Sequence, residues 1–240
     1  MEYFRVRHTL DKKKSYGHSP QVMEVKHNCH VAYEPGFIRH HSFEKIGFQP
    51  ITSTPVLHPK SKKTDLIEHL GIGFSHRLVM SGKLKDIFEA HNNDRFQCFQ
   101  CPIYHRGNED KSYWIIHPYK FNQEYIDFNK SDIQIRIRDP KGGTKLQKIE
   151  ISSLVDFNSS KEFYKENGSI LSVCQIVLKE NIRDDFFMLR GIEGGLGYFV
   201  SERLKKEIEE NQCTGIEFQP IGLSINEWLI KGGERERTYG

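Results

Sequence analysis

The clearest hydrophobic pattern in the chain is strict alternation: Ile133, Ile135 and Ile137 are interleaved with Gln134, Arg136 and Arg138. A period of two puts the isoleucines on one face of an extended chain and the polar residues on the other, which predicts a half-buried strand. Asp139-Pro140-Lys141-Gly142-Gly143 is dense in turn formers, and Leu146, Ile149 and Ile151 supply the partner strand of a hairpin. Ser160 to Asn167 reads as a short helix ended by Gly168, and Ile170 to Leu178 as a strand rich in Ile, Val and Leu. The first 60 residues, with scattered histidines and short apolar runs such as Val22-Met23-Glu24-Val25, predict short strands and loops. The expected class is α+β with mixed sheets.

A second pattern is long-range. Asp65-Leu66-Ile67 and Asp185-Phe186-Phe187 lie 120 positions apart, and the same offset relates Gly71-Ile72 to Gly191-Ile192, Ser81 to Ser201, and Leu84-Lys85 to Leu204-Lys205. Each copy reads as strand, helix, strand. Leu78-Val79-Met80 and Tyr198-Phe199-Val200 suit buried strands, and Ser81 and Ser201 suit helix caps. Leu84, Ile87 and Phe88 fall at helical spacing, as do Leu204 and Ile208, with Lys205, Lys206, Glu209 and Glu210 left for solvent. Asn92-Asn93 and Thr214-Gly215 would stop these helices, and Phe96 to Phe99 and Ile216 to Phe218 would return as strands. The likeness continues with a shift of one or two residues into Phe99-Gln100-Cys101-Pro102-Ile103 and Phe218-Gln219-Pro220-Ile221, and extends to Trp114-Ile115-Ile116 and Trp228-Leu229-Ile230. The related units therefore cover about 65–116 and 185–230. The domain expectation is an N-terminal α+β unit at 1–130 with an irregular, histidine-containing start and a C-terminal α+β unit at 131–240, with one compact domain as the other option.

Composition narrows the function classes. A chain of 240 residues with 37% hydrophobic and 12% aromatic content can bury a core and fold alone. Five cysteines without regular spacing read as free thiols of a reducing compartment. No stretch approaches the roughly 20 apolar residues of a membrane span, and Met1-Glu2-Tyr3-Phe4-Arg5 lacks the apolar run of a secretory signal, so a cytoplasmic protein is expected. A formal net charge of +3 is too small for a phosphate-tracking protein and argues against nucleic acid as partner. Nor does it provide the negative field of a nucleic-acid mimic. Lys12-Lys13-Lys14 and Lys60-Ser61-Lys62-Lys63 read as solvated loops, with contact to a phosphate or an acidic partner as the alternative.

Candidate chemistry is thin. Cys98 and Cys101, with His105 beyond, have a spacing that two zinc ligands can use, but a second ligand pair is missing, so both thiols are expected to be packing residues. His27, Cys29, His30, His40 and His41 match no defended metal pattern and read as loop or packing residues. Gly191, Gly194, Gly195 and Gly197 precede an apolar run rather than opening a helix, which is the order of a turn feeding a strand rather than of a phosphate cradle. Ser81 and Ser201 lack the glycines of a nucleophile elbow, and Asp65 and Asp185 recur as a repeated structural need would. The sequence therefore assigns no catalytic, cofactor-binding or metal-binding residue, and no cofactor.

The residues Asp185-Phe186-Phe187, Tyr198-Phe199-Val200-Ser201-Glu202-Arg203-Leu204-Lys205 and Thr214-Gly215-Ile216-Glu217-Phe218-Gln219-Pro220-Ile221 resemble the C-terminal signature of a bacterial polymorphic-toxin immunity family, formerly grouped as a domain of unknown function. The resemblance spans mainly residues 185–221 and implies a non-enzymatic protein that binds and neutralises a cognate toxin by direct contact. Residues of the toxin-binding surface cannot be named from sequence, because interface anchors there look like core aromatics. A metal-dependent or nucleotide-processing enzyme is the alternative.

Overall fold

The structure is a computed structural model that describes residues 1–11, 16–68, 71, 73–139 and 142–240. The Lys12-Lys13-Lys14 cluster, Ile72 of the repeat and Pro140-Lys141 of the expected turn lie outside the described residues. The chain is α+β. In order the strands are β1 (Tyr3–His8), β2 (Val22–Lys26), β3 (Thr54–Leu57), β4 (Leu66–Ile67) and β5 (Val79–Ser81), then helix α1 (Gly82–Ala90) and β6 (Phe96–Gln100), β7 (Ile103–His105), β8 (Asn108–Asp110) and β9 (Tyr113–Pro118). There follow β10 (Asp132–Arg138), β11 (Thr144–Lys148), α2 (Leu154–Glu166), β12 (Ile170–Gln175), β13 (Phe186–Ile192), β14 (Gly195–Ser201), α3 (Glu202–Glu210), β15 (Ile216–Pro220), α4 (Ile225–Trp228) and α5 (Glu234–Tyr239).

The strands form three sheets, in the orders β11-β10-β12-β13-β14-β1-β15, β2-β3-β7-β8 and β4-β5-β9-β6. Parallel pairing occurs between β12 and β13 and between β3 and β7, so two of the sheets are mixed. The chain folds as two compact units: Met1–Arg5 with Phe121–Glu202 and Gln219–Gly240, and Val6–Lys120 with Arg203–Phe218. The core of the first is built from Ile133, Ile135, Leu171, Val173, Phe187, Leu189 and Phe199, closed by Phe157 of α2. That of the second gathers Phe37, Ile38, Leu57, Ile67, Phe74, Val79, Ile103 and Ile115.

The alternating isoleucines occupy β10, with Ile133 and Ile135 buried and Arg136 and Arg138 exposed. Helix α2 is longer than the sequence pattern suggests. It starts at Leu154 because the Ser153 hydroxyl accepts from the Asp156 N–H at 3.1 Å, and only Phe157 of its early turns is buried, so no apolar stripe announces it. Its end comes where expected: Gly168 adopts φ +69°, a left-handed conformation that suits glycine.

The duplication is real, and it runs deeper than the matched letters. β4 pairs with β5 through Leu66↔Met80 and Ile67↔Val79, while β13 pairs with β14 through Phe186↔Val200 and Phe187↔Phe199, an offset of 120 throughout. The helices span 82–90 and 202–210 and the return strands 96–100 and 216–220, so that offset persists without the expected shift. Cys98 is thus the counterpart of Phe218, and Phe99 of Gln219. Two other expectations are corrected. Trp114 lies in β9, whereas Trp228 lies in α4, so these tryptophans are unrelated. The counterpart of β9 is β1: Tyr113 faces Ser81 and Tyr3 faces Ser201. In matching fashion the Cys101 N–H donates to the Tyr113 carbonyl at 3.0 Å, and the Ile221 N–H to the Tyr3 carbonyl at 3.1 Å. The Tyr113 hydroxyl donates to the Thr64 carbonyl at 3.0 Å and that of Tyr3 to the Ile182 carbonyl at 3.1 Å. The third strand of the motif follows the helix in one copy and opens the chain in the other. Also, α3 ends at Glu210, before Thr214-Gly215. Gly215 serves instead to let β15 begin: at φ +83° a Cβ there would sit 2.4 Å from the Leu66 carbonyl oxygen.

Candidate functional site

The repeated Asp and Ser residues come together, one pair in each copy. The Ser81 hydroxyl donates to Asp65 Oδ1 at 2.7 Å and the Ser201 hydroxyl to Asp185 Oδ1 at 2.6 Å, and in both pairs the serine N–H donates to the aspartate carbonyl at 2.8 Å. Ser81 Oγ also accepts from the Leu84 N–H at 3.3 Å, capping α1. Asp65 Oδ2 accepts from the Thr214 N–H at 2.8 Å and hydroxyl at 3.0 Å. Burial would raise the Asp65 carboxyl, but these hydrogen bonds and nearby Lys83 outweigh it and hold the group below its usual range. Both oxygens of the Asp65 carboxylate are thus engaged by donors of its own chain, as in a structural clamp.

Cys98 lies in β6 and Cys101 just beyond it, while His105 lies in β7 of a different sheet. The Cys101 thiol is buried, donates to the Ser53 carbonyl at 3.3 Å, and is pushed up to about 12 by burial. Cys98 is pushed up as well, by burial first and by Glu89 second. Burial thus disfavours the thiolate at both positions, the form that acts as nucleophile and metal ligand. Among the described residues no group of three or more His, Cys, Asp or Glu is placed to hold a metal ion.

The histidine-rich segment 27–50 carries no strand and only one short 3₁₀ turn, at Ile38–His40. Its imidazoles serve the loop itself. His27 Nδ1 meets Ser53 Oγ at 2.9 Å, His41 Nε2 meets the Pro35 carbonyl at 3.0 Å, and His30 stacks on Tyr33 with ring centroids 4.6 Å apart. What holds the loop is a pair that sequence reading passed over. The buried Arg77 guanidinium donates to the carbonyls of Ile38, His41 and Ser75 and to His117 Nδ1, while His117 Nε2 donates to the Glu44 carbonyl at 2.8 Å. Burial drives His117 down to about 4, with Arg77 acting in the same direction, so the ring is neutral and both its nitrogens are committed. Fixed this way, the loop displays Tyr33, 81% exposed, and Phe48, 49% exposed. No local motif marks Arg77 or His117, since they stand 40 residues apart, one in the loop before β5 and the other in β9.

The glycines take the place expected of a turn. Gly191 and Gly194 adopt φ +72° and +80° where β13 turns into β14, and Gly71, the counterpart of Gly191, also has positive φ. Of the basic cluster, Lys63 pairs with Asp110 at 2.7 Å and Lys60 is exposed.

Clamps and latches of this kind engage the repeated Asp and Ser residues and His117 in bonds within the chain. Comparison with known families supplies the rest: the profile of an immunity protein family, Imm11, matches residues 2–223. The chain belongs to that family. A search of curated proteins returns no match. The Imm11 match extends far beyond residues 185–221 and takes in β1, the third strand of the second copy. Among the described residues no helix is long and apolar enough to cross a membrane.

Proposed function

We propose that this chain protects the cell that makes it by binding a cognate toxin protein in the cytoplasm and holding it inactive through direct contact, without turnover. The observation that carries this reading is the Imm11 match over nearly the whole chain. The candidate residues support it, because burial disfavours the thiolates and the aspartates and His117 are engaged by their own chain, which leaves surface recognition as the means of action. Stable inhibition calls for an interface on the order of 1,200–2,000 Å². The test is co-expression with the toxin encoded beside this gene in a sensitive bacterial strain, followed by titration of the purified pair. Inhibition should saturate at a fixed stoichiometry and track complex formation. Protection by trace amounts of this chain, or loss of protection on metal chelation with the fold intact, would instead mean enzymatic reversal of the damage.

A further inference from the structure

The end of the seven-stranded sheet differs from the other sheet ends. All five residues of β11, Thr144 to Lys148, are exposed, whereas the strands that end the sheets elsewhere (β2, β4, β6, β8 and β15) each keep at least one residue from full exposure. The pairing with β10 runs without a bulge from Gln134↔Lys148 to Arg138↔Thr144, and β11 contains no proline, so two common devices that blunt a sheet edge are absent from it. The Ile149 N–H donates to the Ile133 carbonyl at 3.0 Å, and the Asp139 N–H to the Gly143 carbonyl at 3.1 Å. In an antiparallel ladder bonded pairs alternate, so the backbone groups of Lys145 and Gln147 face β10 and those of Thr144, Leu146 and Lys148 face away from it.

The side chains around this edge say what it would accept. Leu146, Arg136 and Ile170 form one row across β11, β10 and β12, with Leu146 55% and Ile170 51% exposed, a rail of apolar surface on either side of a guanidinium. Arg136, Arg138, Lys145 and Lys148 set four cations in the two strands against two carboxylates, Asp132 in β10, which lies 3.6 Å from Lys148, and Asp139 just after β10, so the edge keeps a net positive charge. Two copies pairing edge to edge would set two strands of like net charge side by side, which disfavours self-association and leaves the edge open to a strand carrying carboxylates.

We infer that β11 is a docking edge at which an extended, acidic segment of the toxin adds as an eighth strand, its backbone bonded to Thr144, Leu146 and Lys148 and its carboxylates set against Lys145, Lys148 and Arg136. This rests on the proposed immunity function, and it commits that function to one surface. Backbone pairing would supply affinity and the charges register and partner choice.

Three measurements with the toxin of the protection assay test it. Hydrogen exchange of the free protein should be fast at the Thr144, Leu146 and Lys148 amides and slower at Lys145 and Gln147, and toxin should protect the first three. Leu146→Pro removes an outward donor without touching the β10 ladder and should weaken binding by about 100-fold with the fold retained. The double variant K145E/K148E, in exposed side chains, should lose about tenfold and flatten the salt dependence of association; it decides the matter alone if Leu146→Pro does not fold. Wild-type binding by the folded variants, or toxin protection confined to other amides, overturns the edge while leaving the immunity reading intact. A wild-type dimer abolished by Leu146→Pro overturns it in favour of a second copy. If the wild-type chain neither binds nor protects, the immunity reading itself falls, whatever the edge does.

Discussion

The two copies of the duplicated motif share their hydrogen bonds more faithfully than their residues. Asp65 with Ser81 and Asp185 with Ser201 make the same side-chain and backbone bonds across the same 16-residue separation. Lys85 pairs with Glu89 at 2.7 Å and Lys205 with Glu209 at 3.1 Å, again 120 positions apart. Yet the third strand is β9 in one and β1 in the other, and its residues have diverged: at the same register Trp114 corresponds to Phe4 and His117 to Arg7. Strand pairing needs only backbone groups and an apolar face, whereas a buried aspartate must have its donors, so the clamp is retained where the packing letters drift.

The comparison is tested hardest in the cores. Leu84 and Leu204 are both fully buried, so Leu→Ala at either should cost about 2–5 kcal/mol in urea unfolding. Equal losses within about 1 kcal/mol would sharpen the equivalence, and a silent substitution at one site would break it.

Next come the clamps. A double-mutant cycle of Asp65→Asn with Ser81→Ala should show a coupling of about 0.5–3 kcal/mol, and the Asp185/Ser201 cycle one of the same sign. Because the Asp65 carboxyl is depressed, its contribution is present above the usual carboxylate pKa of 3.8 and is lost as pH falls through the lower folded value.

His117 tests the divergence of the third strand, since Arg7 at the matching position of β1 cannot titrate in this range. Its folded value lies near 4 against 6.5 when unfolded, so protons bind preferentially to the unfolded chain and stability should fall between about pH 6.5 and 4, a window above that of Asp65. His117→Gln should flatten this part of the melting-temperature profile. An unchanged slope would mean that His117 is not the titrating group.

Smallest are the i,i+4 ion pairs on the helix surfaces, whose lysines are half-buried: Lys85→Ala and Lys205→Ala should each cost only about 0.3–0.5 kcal/mol by thermal melting, and a larger loss at one alone would point to its aromatic neighbour, Trp114 or Phe218.

Linear pattern determined a good deal of this protein by itself. The offset of 120 positions, the caps and turns, and the period-two alternation in β10 are local or translational regularities, and each is set by backbone chemistry within a few residues. The family signature at 185–221 was legible for the same reason. Tertiary structure alone decided the rest. That β1 completes the second copy depends on strands nearly 200 residues apart, and no constant offset can express a strand that leads in one copy and follows in the other. The Arg77–His117 latch gathers carbonyl groups from a loop, and carbonyls leave no mark in a sequence. The open edge at β11 is likewise a property of the sheet: Leu146, Ile149 and Ile151 foretold a partner strand, of which only Leu146 lies in β11, and only the strand order shows that nothing pairs with its outer side among the described residues.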